Sequence, residues 1–175
     1  MTGVDFATLK ALKPSDYENA ADGYRSVADM ARAAEDQIEG TVVAGMRKSL
    51  QGEAAETARG ELRKRGKNFL YTQTECGLIS TALNGFAFDL AAAKRKLDDA
   101  LADAGTQKLT VNADGSVTYP PGPEKVDGAV PPAGTATGRS TPLAGSLGRQ
   151  AAAQQPDPYA IAAQDIADRI ATALA

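Results

Sequence analysis

The amino-acid sequence predicts a mainly α-helical protein: a long antiparallel helical hairpin, a small β-hairpin, a disordered linker and a C-terminal helix. Proline placement is the first reason, because seven of the nine prolines fall between Pro120 and Pro156 and none lies between Pro14 and Pro120. Apolar residues also recur at helical spacing through this proline-free span. A glycine at position 52, where the charge changes sign, then marks a turn between two helical arms.

Composition limits the classes of function. The 175 residues suit one domain with accessory segments, and 19 basic against 22 acidic residues leave a net charge of −3 that attracts neither nucleic acid nor anionic membrane. The chain has no histidine, no tryptophan, one cysteine and a mean hydropathy of −0.29. Without histidine it lacks the usual general base and metal ligand. We therefore expect no enzyme activity, no cofactor, no metal site and no nucleic-acid partner.

The N-terminal segment, residues 1–14, lacks a basic region followed by an apolar core, and no 18 apolar residues run together anywhere in the chain. We expect neither a Sec-type signal peptide nor membrane insertion.

The helical hairpin is assigned to residues 15–104. Ser15 and Glu18 follow Pro14 with the spacing of a capping box, which indicates the start of the first helix. Apolar residues then recur three, four or seven positions apart, as on one face of a helix: Tyr17, Ala21, Tyr24, Ala28, Ala31, Ile38 and Val42.

A turn is expected where the first arm ends, because cations precede it and carboxylates follow it, as the dipoles of two successive helices favour. The cations are Arg47 and Lys48, and the carboxylates are Glu53 and Glu56. The turn motif comprises Leu50, Gln51 and Gly52. Gly52 can adopt the left-handed conformation that ends a helix. The alternatives are one continuous rod, in which the glycine costs about 1 kcal/mol, and a break at Gly40. Asn84–Gly85 is a further candidate break, which would end the second helix early.

The second arm carries too much apolar surface for one partner helix. Around residues 78–90, apolar side chains cover more than half of the helix circumference, which predicts pairing of two hairpins into a four-helix bundle. The expected partner interface comprises Phe69, Ile79, Leu83, Phe86 and Leu90. The alternative is a self-contained bundle in which residues 157–175 fold back as a third helix.

Three segments follow the hairpin. Residues 107–119 read as a β-hairpin around an Asp-Gly turn, and residues 120–156, rich in proline and glycine, read as a linker. Residues 157–175 form an amphipathic helix that begins with Asp157 as N-cap and Pro158 at the first helical position. This helix reaches the last residue without a stop signal, so we expect a further module to follow it.

Two other groups of residues receive structural interpretations. Cys76 lies in register with the apolar stripe, which favours core packing over a disulfide at a dimer interface. A basic cluster is interpreted as a solvated helix face, because no aromatic residues interleave with it: Arg59, Arg63, Lys64, Arg65 and Lys67.

The Leu50-Gln51-Gly52 turn between two periodic helices, followed by the acidic and alanine-rich stretch Glu53–Glu56, resembles the WXG-type family of helical-hairpin proteins. These proteins are substrates of type VII secretion systems, and LXG-type relatives are fused to toxin domains. The resemblance covers residues 15–103. Leucine stands here where the WXG turn has tryptophan.

The resemblance implies a non-enzymatic targeting and interaction module, forming the N-terminal region of a larger toxin-type protein. It implies pairing with a small helical WXG-like partner or with itself, and contact with the secretion machinery. The protein would be cytoplasmic before export and secreted afterwards. Tyr71 and Glu75 match the family's Tyr-x-x-x-Asp/Glu export motif, although they lie in mid-helix rather than after the second helix. The alternative is a cytosolic structural or adaptor coiled coil that never leaves the cell.

Overall fold

The computed structural model describes residues 4–125, 128–139 and 157–175. The remainder of the expected linker, 126–127 and 140–156, lies outside the described residues, as does the start of the N-terminal segment. The elements are α1 (Phe6–Ala11), α2 (Pro14–Gln37), a π-helical segment (Ile38–Val43), α3 (Ala44–Ser49), α4 (Glu53–Thr106), β1 (Thr110–Val111), β2 (Val117–Tyr119), β3 (Gly134–Ala136) and α5 (Pro158–Leu174).

The predicted fold class is confirmed. Long helices spanning residues 14–49 and 53–106 pack antiparallel, and a small sheet and a C-terminal helix follow. The chain divides into two compact units: a hairpin unit, residues 13–89, and a sheet unit, residues 1–12 with 90–175.

The first long helix begins one residue earlier than expected. Pro14 occupies the first helical position and Lys13 is the N-cap, without a side-chain capping bond, so Ser15 lies inside the first turn and no capping box forms. Proline suits this position because its fixed φ is already helical and its missing N–H is not needed there.

The seam of the hairpin unit, where its two long helices meet, is lined by small residues. Ala21, Ala28 and Ala31 of α2 are buried, as are Ala55 and Ala87 of α4. Alanine side chains allow two helix backbones to approach closely. The seam also holds one aromatic pair, Tyr17 and Phe86, whose rings meet edge to face with centroids 4.7 Å apart.

Neither alternative break point interrupts its helix. Gly40 lies within the π-helical segment Ile38–Val43, which widens the helix locally, and Val43 is fully buried. The Asn84–Gly85 pair lies in the interior of α4.

The turn occurs at the predicted position. Leu50 adopts an extended conformation after α3, and Gly52 has a φ of +102° before α4 begins at Glu53. The Gly52 carbonyl accepts a bond from the Glu56 N–H at 3.1 Å, which starts the α4 hydrogen-bond ladder. The charge reversal therefore coincides with the end of one helix and the start of the next.

Replacing Gly52 with valine is expected to lower the free energy of unfolding by at least about 1 kcal/mol, because a β-branched residue is strained at positive φ. Urea denaturation followed by far-UV circular dichroism measures the change. Gly45→Val is the matched control, because Gly45 lies in α3 with open space around it. Equal unfolding midpoints for the two variants would contradict the turn geometry.

The sheet unit contains a strand that the sequence analysis did not predict. β1 and β2 form the expected antiparallel hairpin, with Val111 paired to Val117, and β3 pairs antiparallel with β2 from inside the segment interpreted as linker. Gly115 takes a φ of +83° in the hairpin turn. The Ser116 hydroxyl and the Ser116 backbone N–H both donate hydrogen bonds to the Asp114 carboxylate. These bonds, chiefly the one from the hydroxyl, lower the pKa of Asp114.

Helix α5 packs against β2 and β3 and supplies much of the apolar core of the sheet unit. Asp157 caps its N-terminus by accepting from the Tyr159 N–H at 3.0 Å, as expected. The short helix α1, which was not predicted, joins the same core. The buried side chains include Phe6, Leu9, Leu97, Leu109, Val117, Ile166 and Ile170.

Candidate interaction surface

The turn motif is exposed at the tip of the hairpin unit. Leu50 retains 48% of its surface in solvent, and Gln51 and Gly52 are also exposed. About half of the Leu50 surface is therefore accessible to another molecule.

Arg59 of α4 stabilises this turn by hydrogen bonds to the end of α3. Its residue exposure is only 6%, and its guanidinium donates to the Leu50 carbonyl at 3.1 Å and to the Met46 carbonyl at 3.5 Å. The same group forms an ion pair with the exposed Glu56. The two carbonyls belong to the end of the first arm, where a helix has no further N–H donors of its own.

Arg59 therefore corrects the interpretation of the basic cluster as one solvated face. Arg63, Lys64 and Lys67 of that cluster are at least partly exposed, whereas Arg59 turns inward. A signal was present in the sequence: Arg59 stands four residues after the buried Ala55, on the same helical stripe.

The five residues predicted as the partner interface differ in how far the structure buries them. Leu90 is buried at 6% exposure and is the first residue of the second segment of the sheet unit, and Leu83 is half-buried. Phe69, Ile79 and Phe86 retain 37%, 39% and 48% of their surface in solvent. Three of the five thus remain available to a partner.

Three exposed side chains form an apolar edge of the hairpin unit: Ile79 and Phe86 of α4 and Val27 of α2. Successive helical residues are rotated by about 100°, which places all three side chains on the same side of the antiparallel pair. Val27 is 39% exposed. Nearer the turn, Arg63 of α4 and Glu39 of the π-helical segment approach each other at 3.8 Å.

The export-motif candidates lie on the surface of α4. Tyr71 is 69% exposed and Glu75, one helical turn further along, is exposed as well. Both belong to a continuous helix, so the structure presents them in mid-helix, as the sequence indicated.

A further group of apolar residues is exposed on α4. The sequence indicated this group only through the excess width of the apolar stripe on that helix. Leu70, Leu78 and Phe88 are 50%, 62% and 70% exposed and point away from the α2 seam. By length and composition, α4 is the one helix among the described residues that could cross a membrane. A stretch of 18 residues within it has a mean hydropathy of 1.3, and 17% of that stretch is buried. A single helix that passes this test is weak evidence for a membrane span.

Other chemistry is sparse in the part of the chain that the structure describes. No group of three or more acidic or cysteine side chains is placed to hold a metal ion there. The sheet unit contains an open cleft lined by Lys96, Asp99, Arg169 and Thr172. Arg169 is already engaged by the Asp103 carboxylate at 2.5 Å. Cys76 is a half-buried free thiol.

The candidate surface is thus an interaction surface: an exposed turn, an apolar edge farther along the hairpin and an outward apolar strip on the longer helix. Comparison of the chain with protein-family models, with curated proteins and with solved structures finds no match.

Proposed function

We propose that the chain is a non-enzymatic targeting and interaction module of a type VII secretion substrate, which pairs with a helical partner for export. The observation that carries the proposal is the apolar edge of Val27, Ile79 and Phe86, left exposed along a hairpin whose turn has the Leu-x-Gly pattern. The resemblance to WXG-type and LXG-type proteins supplies the secretion context.

Pairing follows from the incomplete burial of this edge. A two-helix layer covers one stripe of each helix, and a second pair of helices stacked on the apolar edge would complete a four-helix bundle. Full burial of each partly exposed side chain would contribute on the order of 1 kcal/mol. Phe69 would extend the contact along α4 toward the turn, and Leu83 lies between Ile79 and Phe86.

The turn and the mid-helix motif have separate roles in this proposal. Arg59 holds the end of α3 against α4, so Leu50 is presented on a rigid tip rather than on a loose loop. Tyr71 and Glu75 are accessible on one helical strip, where the secretion machinery or the partner could contact them. No catalytic step is assigned to the module, which remains cytoplasmic until export.

Ile79→Asp is expected to abolish pairing with the helical partner and to stop export, because association would bury an unpaired carboxylate. Co-purification from the native host measures pairing, and immunoblotting of culture medium measures export with and without the type VII apparatus. The matched control is Ala33→Asp, which places the same charge on the exposed outer side of α2.

Undiminished export from a strain lacking the type VII apparatus would overturn the secretion role. Pairing that persists without any export would instead favour the cytosolic adaptor. Equal effects of Ile79→Asp and Ala33→Asp would show that the apolar edge is not the interface.

A further inference from the structure

We propose that α4 carries a second association surface, distinct from the apolar edge, through which two copies of this chain pair in antiparallel orientation. This outer face comprises Leu70, Tyr71, Thr74, Gly77, Leu78, Thr81, Gly85 and Phe88. The inference is independent of the secretion role, since it concerns self-association of the hairpin unit alone.

The outer face lies away from the α2 seam. Ala87 and Ser80 are buried at the α2 seam, whereas their successors Phe88 and Thr81, rotated by about 100°, are exposed. Four large side chains on the face, Leu70, Tyr71, Leu78 and Phe88, are between 50% and 70% exposed. The hairpin fold itself therefore leaves this strip without cover.

The two threonine hydroxyls within the outer face are satisfied internally. The Thr74 hydroxyl donates to the Leu70 carbonyl at 2.9 Å, and the Thr81 hydroxyl donates to the Gly77 carbonyl at 2.9 Å. Both threonines can therefore enter an apolar contact without leaving an unpaired hydroxyl. An interface on this strip would consequently be dry along its centre.

Two glycines, Gly77 and Gly85, lie on either side of the middle of the face, and the fold requires neither of them. A Cβ added at Gly77 or Gly85 would meet nothing within 4 Å, and neither glycine has a positive φ. Glycine is a poor helix former, so two of them in the middle of a long helix weaken it without any gain inside the chain. A second helix crossing the face would gain from both, because its backbone could approach closely.

The distribution of side chains favours a second copy over an unlike partner. A two-fold axis between Ile79 and Ser80 sets Tyr71 opposite Phe88 of the second copy. It also sets the protruding Leu78 opposite Thr81, which lies on the same strip between Gly77 and Gly85. The same axis sets Thr74 opposite Gly85, a small residue against a small one. A surface that matches itself in this way is what an isologous dimer requires.

The charges at the two ends of the face favour the antiparallel orientation. Lys67 precedes the face and Asp89 follows it, both on its outward side. In the antiparallel register, Lys67 of each copy lies within one helical turn of Asp89 of the other, whereas a parallel pair would set like charges side by side. Two ion pairs therefore bracket the apolar centre.

The dimensions indicate a weak dimer. The face runs for about 27 Å from Leu70 to Phe88, at about 1.5 Å per residue. A single helix crossing falls at the small end of specific interfaces, so dimerisation depends on concentration. A lipid surface is the less favoured occupant, because Gly77 and Gly85 suit the approach of a helix backbone, and Lys67 and Asp89 bound the strip with charge.

Sedimentation equilibrium of the full chain over a range of concentrations tests the inference. The unmodified protein is expected to associate reversibly to a dimer. Gly77→Leu is expected to weaken the dimer by about tenfold or more, because the added side chain holds the two helices apart. The matched control is Gly60→Leu, since Gly60 also lies in α4 with open space around it but precedes the face.

A charge exchange tests the register. Lys67→Asp alone is expected to weaken the dimer several-fold, and Lys67→Asp combined with Asp89→Lys is expected to restore it, because the two charges meet between copies. Circular dichroism establishes that each variant remains helical, so that loss of dimer is not loss of fold.

Four results would overturn the inference. The first is a chain that stays monomeric at every concentration, and the second is equal weakening by Gly77→Leu and Gly60→Leu. The third is a monomer that floats with phosphatidylcholine and phosphatidylglycerol vesicles, because it would assign the face to a membrane surface. A dimer abolished by Ile79→Asp but unaffected by Gly77→Leu would likewise move self-association to the apolar edge.

Discussion

Replacing Arg59 with leucine is expected to lower the free energy of unfolding by about 2 kcal/mol. Leucine retains apolar bulk beside the seam but removes the donors that reach the Leu50 carbonyl at 3.1 Å and the Met46 carbonyl at 3.5 Å. Hydrogen bonds from a charged donor contribute roughly 1.5–3 kcal/mol. The loss stays near the middle of that range because the carbonyls at the exposed tip can still bond to water.

The matched control is Arg63→Leu, one helical turn further along α4. Arg63 is partly exposed and makes only a 3.8 Å contact with Glu39, so its loss is expected to cost no more than about 0.5 kcal/mol. Urea denaturation compares the two variants, and hydrogen exchange of the α3 amides locates the effect. Equal losses, or faster exchange spread evenly over both arms, would contradict a specific role for Arg59 at the turn.

The long helices and their turn were predictable because each depends on local signals. Helical spacing of apolar residues, absence of proline, and opposite charges around Gly52 all act within a few turns of the chain. Tertiary packing then strengthened these preferences rather than opposing them. For the same reason, Asp157 and Pro158 marked the start of α5 correctly.

Elements that depend on distant partners were not predictable in this way. β3 lies in a segment rich in proline and glycine, and it becomes a strand only because β2 offers an open edge. The short helix α1 is likewise held by tertiary contacts: the Lys94 ammonium donates to the carbonyls of Leu9 and Lys10, at 3.2 Å and 2.9 Å. A local pattern contains no information about such long-range bonds.

The exposed apolar side chains of α4 could be anticipated from the wide apolar stripe, but only partly in position. In the structure, α2 leaves Leu78 and Phe88 exposed. The sequence could not separate the side chains that border the seam, such as Leu83, from those that face outward, such as Phe88. That division depends on which side α2 approaches, and the buried alanines of both arms decide it.

Replacing Gly138 with alanine is expected to destabilise the sheet unit by about 3 kcal/mol. A Cβ at this position would overlap the Ala167 carbonyl oxygen and would lie 2.8 Å from the Ala171 Cβ. Both atoms belong to α5, and a backbone carbonyl cannot rotate aside as a flexible side chain can. Either the segment after β3 or α5 must therefore move, which loosens the contacts of the buried Ile166 and Ile170.

Hydrogen exchange of the α5 amides, together with urea denaturation, measures this loss. Gly105→Ala is the matched control, because a Cβ at Gly105 of α4 meets nothing within 4 Å and alanine is the better helix former. We expect Gly105→Ala to be neutral or slightly stabilising and to leave α5 protected. If Gly138→Ala preserved the same protection, α5 would not rest on the segment after β3, and the close approach of Gly138 to Ala167 would be wrong.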